Sequence, residues 1–254
     1  MNEVKEIIDI IPEDTKKEIY QDGVKPAMVE TGKTLSLVPR VVKNALAKVE
    51  MWCINREFMV KEFELELQKK LESKKEENIV DADPSIFIPS AQAISYNWEK
   101  EDIRQLYLNL MASDMDVTKK ENVHPSFSEV IKQMDSTDVQ IFTKIYKRTI
   151  LPLCILQKKE ENGTTPILDY LLTSDFYTNI SENKVIKSLN NLERLKLIEI
   201  YNDQYYTDKR IYYSIENGKE IQKYRSEFLD KLDITNGMIK KTEFGKDFYD
   251  VCCK

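Results

Sequence analysis

The sequence holds one histidine, four cysteines in 254 residues and no surplus of positive charge, and each shortage excludes a kind of chemistry. Cys53, Cys154, Cys252 and Cys253 show no C-x-x-C spacing, so no disulfide framework is expected. A structural zinc needs about four thiolate or imidazole ligands, and only His124 is there to help, so no metal and no cofactor is expected either. The adjacent Cys252 and Cys253 read as helix packing rather than as a redox couple. With 38 basic against 44 acidic side chains the net charge is −6, and no overall field draws the chain to nucleic acid or anionic lipid. The longest apolar run, residues 150–156, has seven positions with Pro152 inside. A bilayer-spanning helix takes ~20, so no integral membrane association is expected. The opening MNEVKEIIDIIP lacks a basic start followed by an apolar core, which gives no secretory signal and an expected cytoplasmic location. No repeat at solenoid periods is evident.

What remains is 41% hydrophobic and 32% charged, a globular composition long enough for one large domain or two ordinary ones. Residues 1–23 are polar and carry Pro12, Asp14 and Gly23, a leader ending in a turn. The spacing then predicts helix from Pro26, a break near Pro39, and a long helix over 40–75 on which Val42, Leu46, Val49, Cys53 and Val60 fall near helical period. Trp52, Phe58 and Phe63 give that helix aromatic contacts for its own core or for a second copy. In 80–90, two prolines bracket Ile86, Phe87 and Ile88 and point to an extended segment. Ile103, Leu106, Tyr107 and Leu110 form an apolar helical stripe, and Ser126 with Glu129 reads as a capping box.

Past Asp135 the pattern changes. A helix opens at Ser136 and the run TILPLCIL follows as a strand, then a loop with Asn162, Gly163 and Pro166. A helix carries Val185, Leu189, Leu192 and Leu195 into a strand-like 197–200. The tyrosine-rich YNDQYYTDKRIYYSI reads as a hairpin, and a helix over 219–232 precedes the closing T-x-x-G-x-x-F of Thr242, Gly245 and Phe248. This order is the grammar of a winged helix. The predicted fold is mainly α: a helical domain over 24–135 followed by a winged-helix-like α+β domain over 136–254.

Candidate chemistry is sparse. Gly32-Lys33-Thr34 ends like a phosphate loop, but the glycine required five residues earlier is Ala27 and no strand precedes it. Asp114 with Asp116, and Glu99, Glu101 and Asp102, are neighbouring carboxylates of a sort that an acidic chain produces by chance, and they read as a solvated face. His124 has no recognisable serine or cysteine elbow to serve; its ring is expected to pack or hydrogen-bond at the start of a helix. A nucleic-acid face would use Lys184, Lys187, Arg194 and Lys196 on the third helix and Lys209 and Arg210 on the wing, beside Tyr205, Tyr206, Tyr212 and Tyr213. Residues 136–254 hold 19 basic and 18 acidic side chains, leaving −7 for residues 1–135. That balance favours an interaction module over a DNA binder.

The stretch IRQLYLNLMASDMD followed by VHPSFSEVIKQMDSTD resembles the abortive infection alpha family of bacterial proteins. The residues that carry the likeness are Leu106, Tyr107, Asn109, Leu110, Ala112, Met115, Asp116, His124, Pro125, Ser126 and Phe127. The Gly32-Lys33 turn, the long helix, the Pro89 segment and the Thr242 to Phe248 ending are similar as well. Met111 stands where leucine would be expected. The resemblance implies a cytoplasmic antiphage protein through which an infected cell stops supporting phage growth, and it brings no catalytic motif. The expected function is therefore non-enzymatic, through contacts with a protein partner or phage component or through self-association, with a winged-helix DNA-binding regulator as the alternative.

Overall fold

The computed structural model of the chain describes residues 57–254. The leader at 1–23, the Gly32-Lys33-Thr34 turn, Cys53, Trp52 and the first part of the predicted long helix lie outside the described residues. The described part is a mixed α+β structure whose helices surround a four-stranded antiparallel sheet.

Helix α1 (Glu57–Glu72) buries Phe63, Leu67 and Leu71, four residues apart and so on one face. Lys69 and Lys70 in its last turn suit the negative end of the helix dipole. Helix α2 (Pro84–Tyr96) corrects the expectation of an extended segment over 80–90. Pro84 sits at the first helical position, where a missing N–H costs nothing, and the Asp83 carboxylate accepts from Ser85 N at 2.8 Å. Pro89 lies inside the helix and forfeits one backbone bond, but Ile86, Phe87, Ala91 and Ile94 bury a face that holds the helix regardless. Helix α3 (Glu101–Asp114) follows as the central element, burying Ile103, Leu106, Tyr107, Leu108, Leu110 and Met111.

Helix α4 (Ser126–Lys132) starts without the capping box that Ser126 and Glu129 suggested. Pro125 already has helical angles (φ −55°, ψ −30°), which pulls the helix start one residue earlier and leaves Ser126 inside the first turn. The His124 ring stands in, its Nδ1 lying 3.1 Å from the Ser126 amide that donates to it. The reciprocal box is instead at helix α5 (Ser136–Tyr146), where Asp135 accepts from Asp138 N and Asp138 accepts from Asp135 N, each at 2.9 Å.

Strand β1 (Pro152–Glu160) pairs with β2 (Gly163–Leu171) through a turn of Glu161 and Asn162, closed by Gly163 at φ 150°. The loop expected through Pro166 is therefore strand. Pro166 is tolerated because β2 is an edge, where a missing N–H breaks no second ladder. Helix α6 (Glu182–Arg194) buries Val185, Ser188, Leu189 and Leu192 and ends at Lys196, whose φ of 60° lets Leu197 N reach back to Leu192 O at 3.0 Å. Strand β3 (Ile198–Tyr201) follows.

The tyrosine-rich segment is not a hairpin. After β3 it forms a 3₁₀ turn over Lys209–Tyr212, then the short helices α7 (Tyr213–Glu216) and α8 (Lys219–Phe228), and only then β4 (Leu232–Lys241). The aromatic strand signal misleads because these hydroxyls are spent on tertiary bonds: Leu151 N donates to Tyr206 Oη (3.2 Å), Tyr206 N to Tyr212 Oη (3.0 Å), and Tyr212 Oη to Gly237 O (2.9 Å). The sheet order is β2-β1-β4-β3. Successive β1 side chains face opposite ways: Leu153 and Ile155 join the main core, whereas Cys154 and Leu156 join a smaller one with Tyr212, Ile215 and Ile221. The main core runs without interruption from Phe63 to Cys252, because helix α9 (Glu243–Cys252) returns to pack on α3.

Candidate functional site

The residues that carry the family pattern converge where α3, α4 and α9 meet. Tyr107 is fully buried and donates its hydroxyl to Ser128 O in α4 (3.3 Å), and burial pushes its acidity far out of reach. Leu106, Leu110 and Met115 are core side chains. Three side chains from α3 and the turn after it receive the carbonyls that end α9: Asn109 Nδ2 donates to Cys252 O (2.8 Å), Ser113 Oγ to Val251 O (2.9 Å), and Lys119 Nζ to Asp250 O (2.9 Å). The last carbonyls of a helix have no partner within it, so this polar socket is what lets α9 end against α3 in the interior. Lys70 completes it by donating to Asn109 Oδ1 at 2.7 Å, with desolvation holding its ammonium below the usual lysine range.

On the other side of α9 lies a nest of aromatic rings. Phe127 meets Phe244 (5.2 Å) and Phe248 (5.3 Å) edge to face, Phe248 meets Phe142 (5.5 Å), and Tyr146 stacks on Tyr249 (5.1 Å). His124 is exposed, 6.1 Å from Phe127 and 6.3 Å from Phe244. The T-x-x-G-x-x-F ending acquires a physical meaning here. Thr242 caps α9 by accepting from Gly245 N (2.8 Å) while donating to Lys196 O (2.6 Å), Gly245 lies where any side chain would strike Leu197 O and the Tyr146 hydroxyl, and Phe248 is fully buried.

The neighbouring carboxylates are not a solvated face, which corrects that expectation for Asp114 and Asp116: they are 0% and 2% exposed. Desolvation raises Asp114, which among the described residues accepts one hydrogen bond, from Asp83 N (2.6 Å). Asp116 goes the other way. Against the desolvation it suffers, bonds from Thr118 and Lys74, the latter an ion pair at 2.9 Å, hold it below the ordinary carboxylate range. Glu99 and Glu101 do lie exposed. Among the described residues Cys154 and Cys252 are buried and Cys253 is half-buried; desolvation pushes Cys154 and Cys253 up to about 12, so thiolate chemistry is disfavoured at both. No three histidine, cysteine or acidic side chains among the described residues are placed to hold a metal ion.

Of the basic candidates, Lys184, Lys187 and Arg194 share one face of α6, three and seven residues apart, with Lys196 just past its end. All four are exposed. Arg194 is engaged, bonding Asn191 Oδ1 (2.7 Å) and Gln133 Oε1 (2.8 Å), while Asn191 Nδ2 reaches Gln133 O (2.9 Å) and Asp138 (2.8 Å). Lys209 and Arg210 sit on the 3₁₀ turn that touches β1, and Arg210 is clasped by Asp208. Tyr205 and Tyr213 are exposed, whereas Tyr206 and Tyr212 are structural. Sequence reasoning missed the α6 to α4–α5 link through Asn191, Gln133 and Asp138. A capping box immediately before a helix with buried Val139 and Ile141 was the one signal that could have found half of it.

Fold and site together define an α+β scaffold organised around a helix socket, with Leu106, Tyr107, Leu110, Met115, Asp116 and Phe127 of the signature buried and His124 and Pro125 exposed. The sequence pattern of the family described as Abortive infection alpha matches residues 55–252, and this chain belongs to that family. No curated protein matches the chain. A solved structure described as an uncharacterized protein from the hydrocarbon-degrading marine bacterium Alcanivorax borkumensis SK2 is 12% identical, covering 54% of this chain and 96% of its own, with a TM-score of 0.35, a likeness too slight to bear on fold or function.

Proposed function

We propose that the chain serves abortive infection as a non-enzymatic contact protein, whose outer faces engage a protein partner, a phage component or a second copy. The observation that supports this reading is that Tyr107, Asn109 and Phe127 hold α4 and α9 in place from within the chain, while Met115 and Asp116 are buried. Residues used in this way build a platform rather than reacting with a substrate. The test is protection of infected cells, measured beside the stability of the purified protein, for Phe127→Leu and His124→Ala. Protection and stability should fall together. Loss of protection at unchanged stability would place the function directly on those residues and overturn the reading.

A second reading, a DNA-binding regulator, is favoured by one arrangement: α5, a 3₁₀ turn over Ser174–Tyr177, α6 and the antiparallel β1-β4-β3 strands follow winged-helix order, with Lys184 and Lys187 outward on α6. The helical insertion at α7 and α8 stands where that architecture carries its wing. Anisotropy of a labelled duplex at low salt tests it, with Lys184→Ala/Lys187→Ala as the comparison. Binding that the pair of substitutions abolishes and salt weakens supports it; no binding at low salt discards it.

A further inference from the structure

Between α1 and α2 a 3₁₀ turn over Glu76–Asn78 leads into residues 79–83, which lie along the end of α3. Val80 N donates to Met115 O (3.0 Å), Val117 N donates to Asn78 O (2.9 Å), and Ile79 pairs with Asp116 in an antiparallel bridge. The last contact of this run is a side chain: Asp83 N donates to Asp114 Oδ2 at 2.6 Å. Asp114 is wholly buried and its second oxygen, Oδ1, has no hydrogen-bond partner among the described residues. It is also the final residue of α3, at the negative end of that helix's dipole. An ionised carboxylate is poorly served at such a place. It faces one donor, a buried second oxygen with no partner among the described residues, and unfavourable backbone dipoles, so exposing Oδ1 to solvent requires neighbouring groups to move.

We propose that Asp114 is a proton-operated latch, which holds the 78–83 segment and the start of α2 on α3 while neutral and loosens them on ionising. The charged groups acting on it are Asp83, whose carboxylate caps α2, and Lys120, whose ammonium also reaches Asp81 O at 3.4 Å. Of the other nearby charges, Lys74 is taken by Asp116, and Lys119 lies with Asp250 and Lys254 at the end of α9. Burial raises Asp114 above the ordinary aspartate range, with the Asp83 bond and Lys120 opposing. The sign follows. The latch is fully closed below the unfolded value of ~3.9 and opens as pH rises through the folded value.

The experiment is amide exchange of Val80, Asp83 and Val117, corrected for the intrinsic pH dependence, together with the urea midpoint, from about pH 4 to about pH 8. Wild-type protection of these three amides should fall across the range, while Asp114→Asn should hold it flat and lose less than half as much urea midpoint. Lys120→Gln, a change at a partly exposed side chain, should move the transition to higher pH, and Asp83→Asn, which keeps the cap but removes the like charge, to lower pH. A wild-type transition that none of these variants shifts, or protection that is flat in the wild type, would overturn the proposal. If Asp114→Asn does not fold, the opposite displacements by Lys120→Gln and Asp83→Asn still decide it.

Discussion

Replacing Gly245 with alanine would set a methyl carbon 2.0 Å from the Tyr146 hydroxyl and 2.1 Å from Leu197 O. Both neighbours are fixed. Leu197 O accepts from the Tyr146 hydroxyl at 2.7 Å and from Thr242 Oγ1 at 3.1 Å, and Leu197 itself is buried. Carbon and oxygen need about 3.2 Å, so α9 must retreat by roughly 1 Å at its first turn. Overpacking of that size costs about 1–3 kcal/mol. The retreat also loosens the Thr242 cap, worth about 1 kcal/mol, and the Tyr146 bond, worth about 1 kcal/mol, while alanine's better helix propensity returns about 1 kcal/mol. The expected loss is about 2–4 kcal/mol, a large share of a typical stability of about 5–15 kcal/mol. Urea unfolding followed by circular dichroism should show a lower midpoint with an unchanged slope. Tyr146→Phe in the same background should recover little, because Leu197 O still blocks the methyl. A loss below about 0.5 kcal/mol, or a full rescue by Tyr146→Phe, would refute the account of the T-x-x-G-x-x-F ending as a close approach of backbone to backbone.

Other positions give further tests. Asn109→Ala should cost about 1–3 kcal/mol by leaving Cys252 O without its donor, and exchange of the α9 amides should accelerate more than that of α6. Phe127→Ala should cost about 3–5 kcal/mol in chemical denaturation, since its ring anchors Phe244 and Phe248 to α4; a loss under about 1 kcal/mol would mean the nest collapses around the gap. For Asp116, held low, the stability it contributes is present above ~3.9 and lost as pH falls through the lower folded value. Asp116→Asn should therefore destabilise by about 1–3 kcal/mol at neutral pH and by progressively less as pH is lowered through the folded value, and a penalty that does not change on acidification would contradict the ion pair with Lys74.

Much of the site was legible residue by residue without being legible as a site. Ile103, Leu106, Tyr107 and Leu110 announce a buried helical face by spacing alone, and Val185, Leu189 and Leu192 do the same for α6. The errors came where a local signal served a distant partner. Pro84 and Pro89 suggested an extended chain, yet one opens a helix and the other is overridden by a buried face. The tyrosines of 205–213 suggested strands, yet Tyr206, in a loop, takes the Leu151 amide just before β1, and Tyr212, in a 3₁₀ turn, reaches Gly237 O in β4. Asp114 and Asp116 looked like one acidic pair, yet burial raises the first, while Lys74 and Thr118 hold the second down.

Periodicity and the family pattern belong to the sequence, because helix faces and charge balance depend on neighbours a few positions apart. The docking of α9 against α3, the choice of Gly245 as the point of closest approach and the isolation of Asp114 from water belong to the tertiary structure. They depend on atoms brought together from 31 to 143 residues apart, as Asp83 is to Asp114 and Asn109 to Cys252, and no local pattern encodes which group such a side chain will meet.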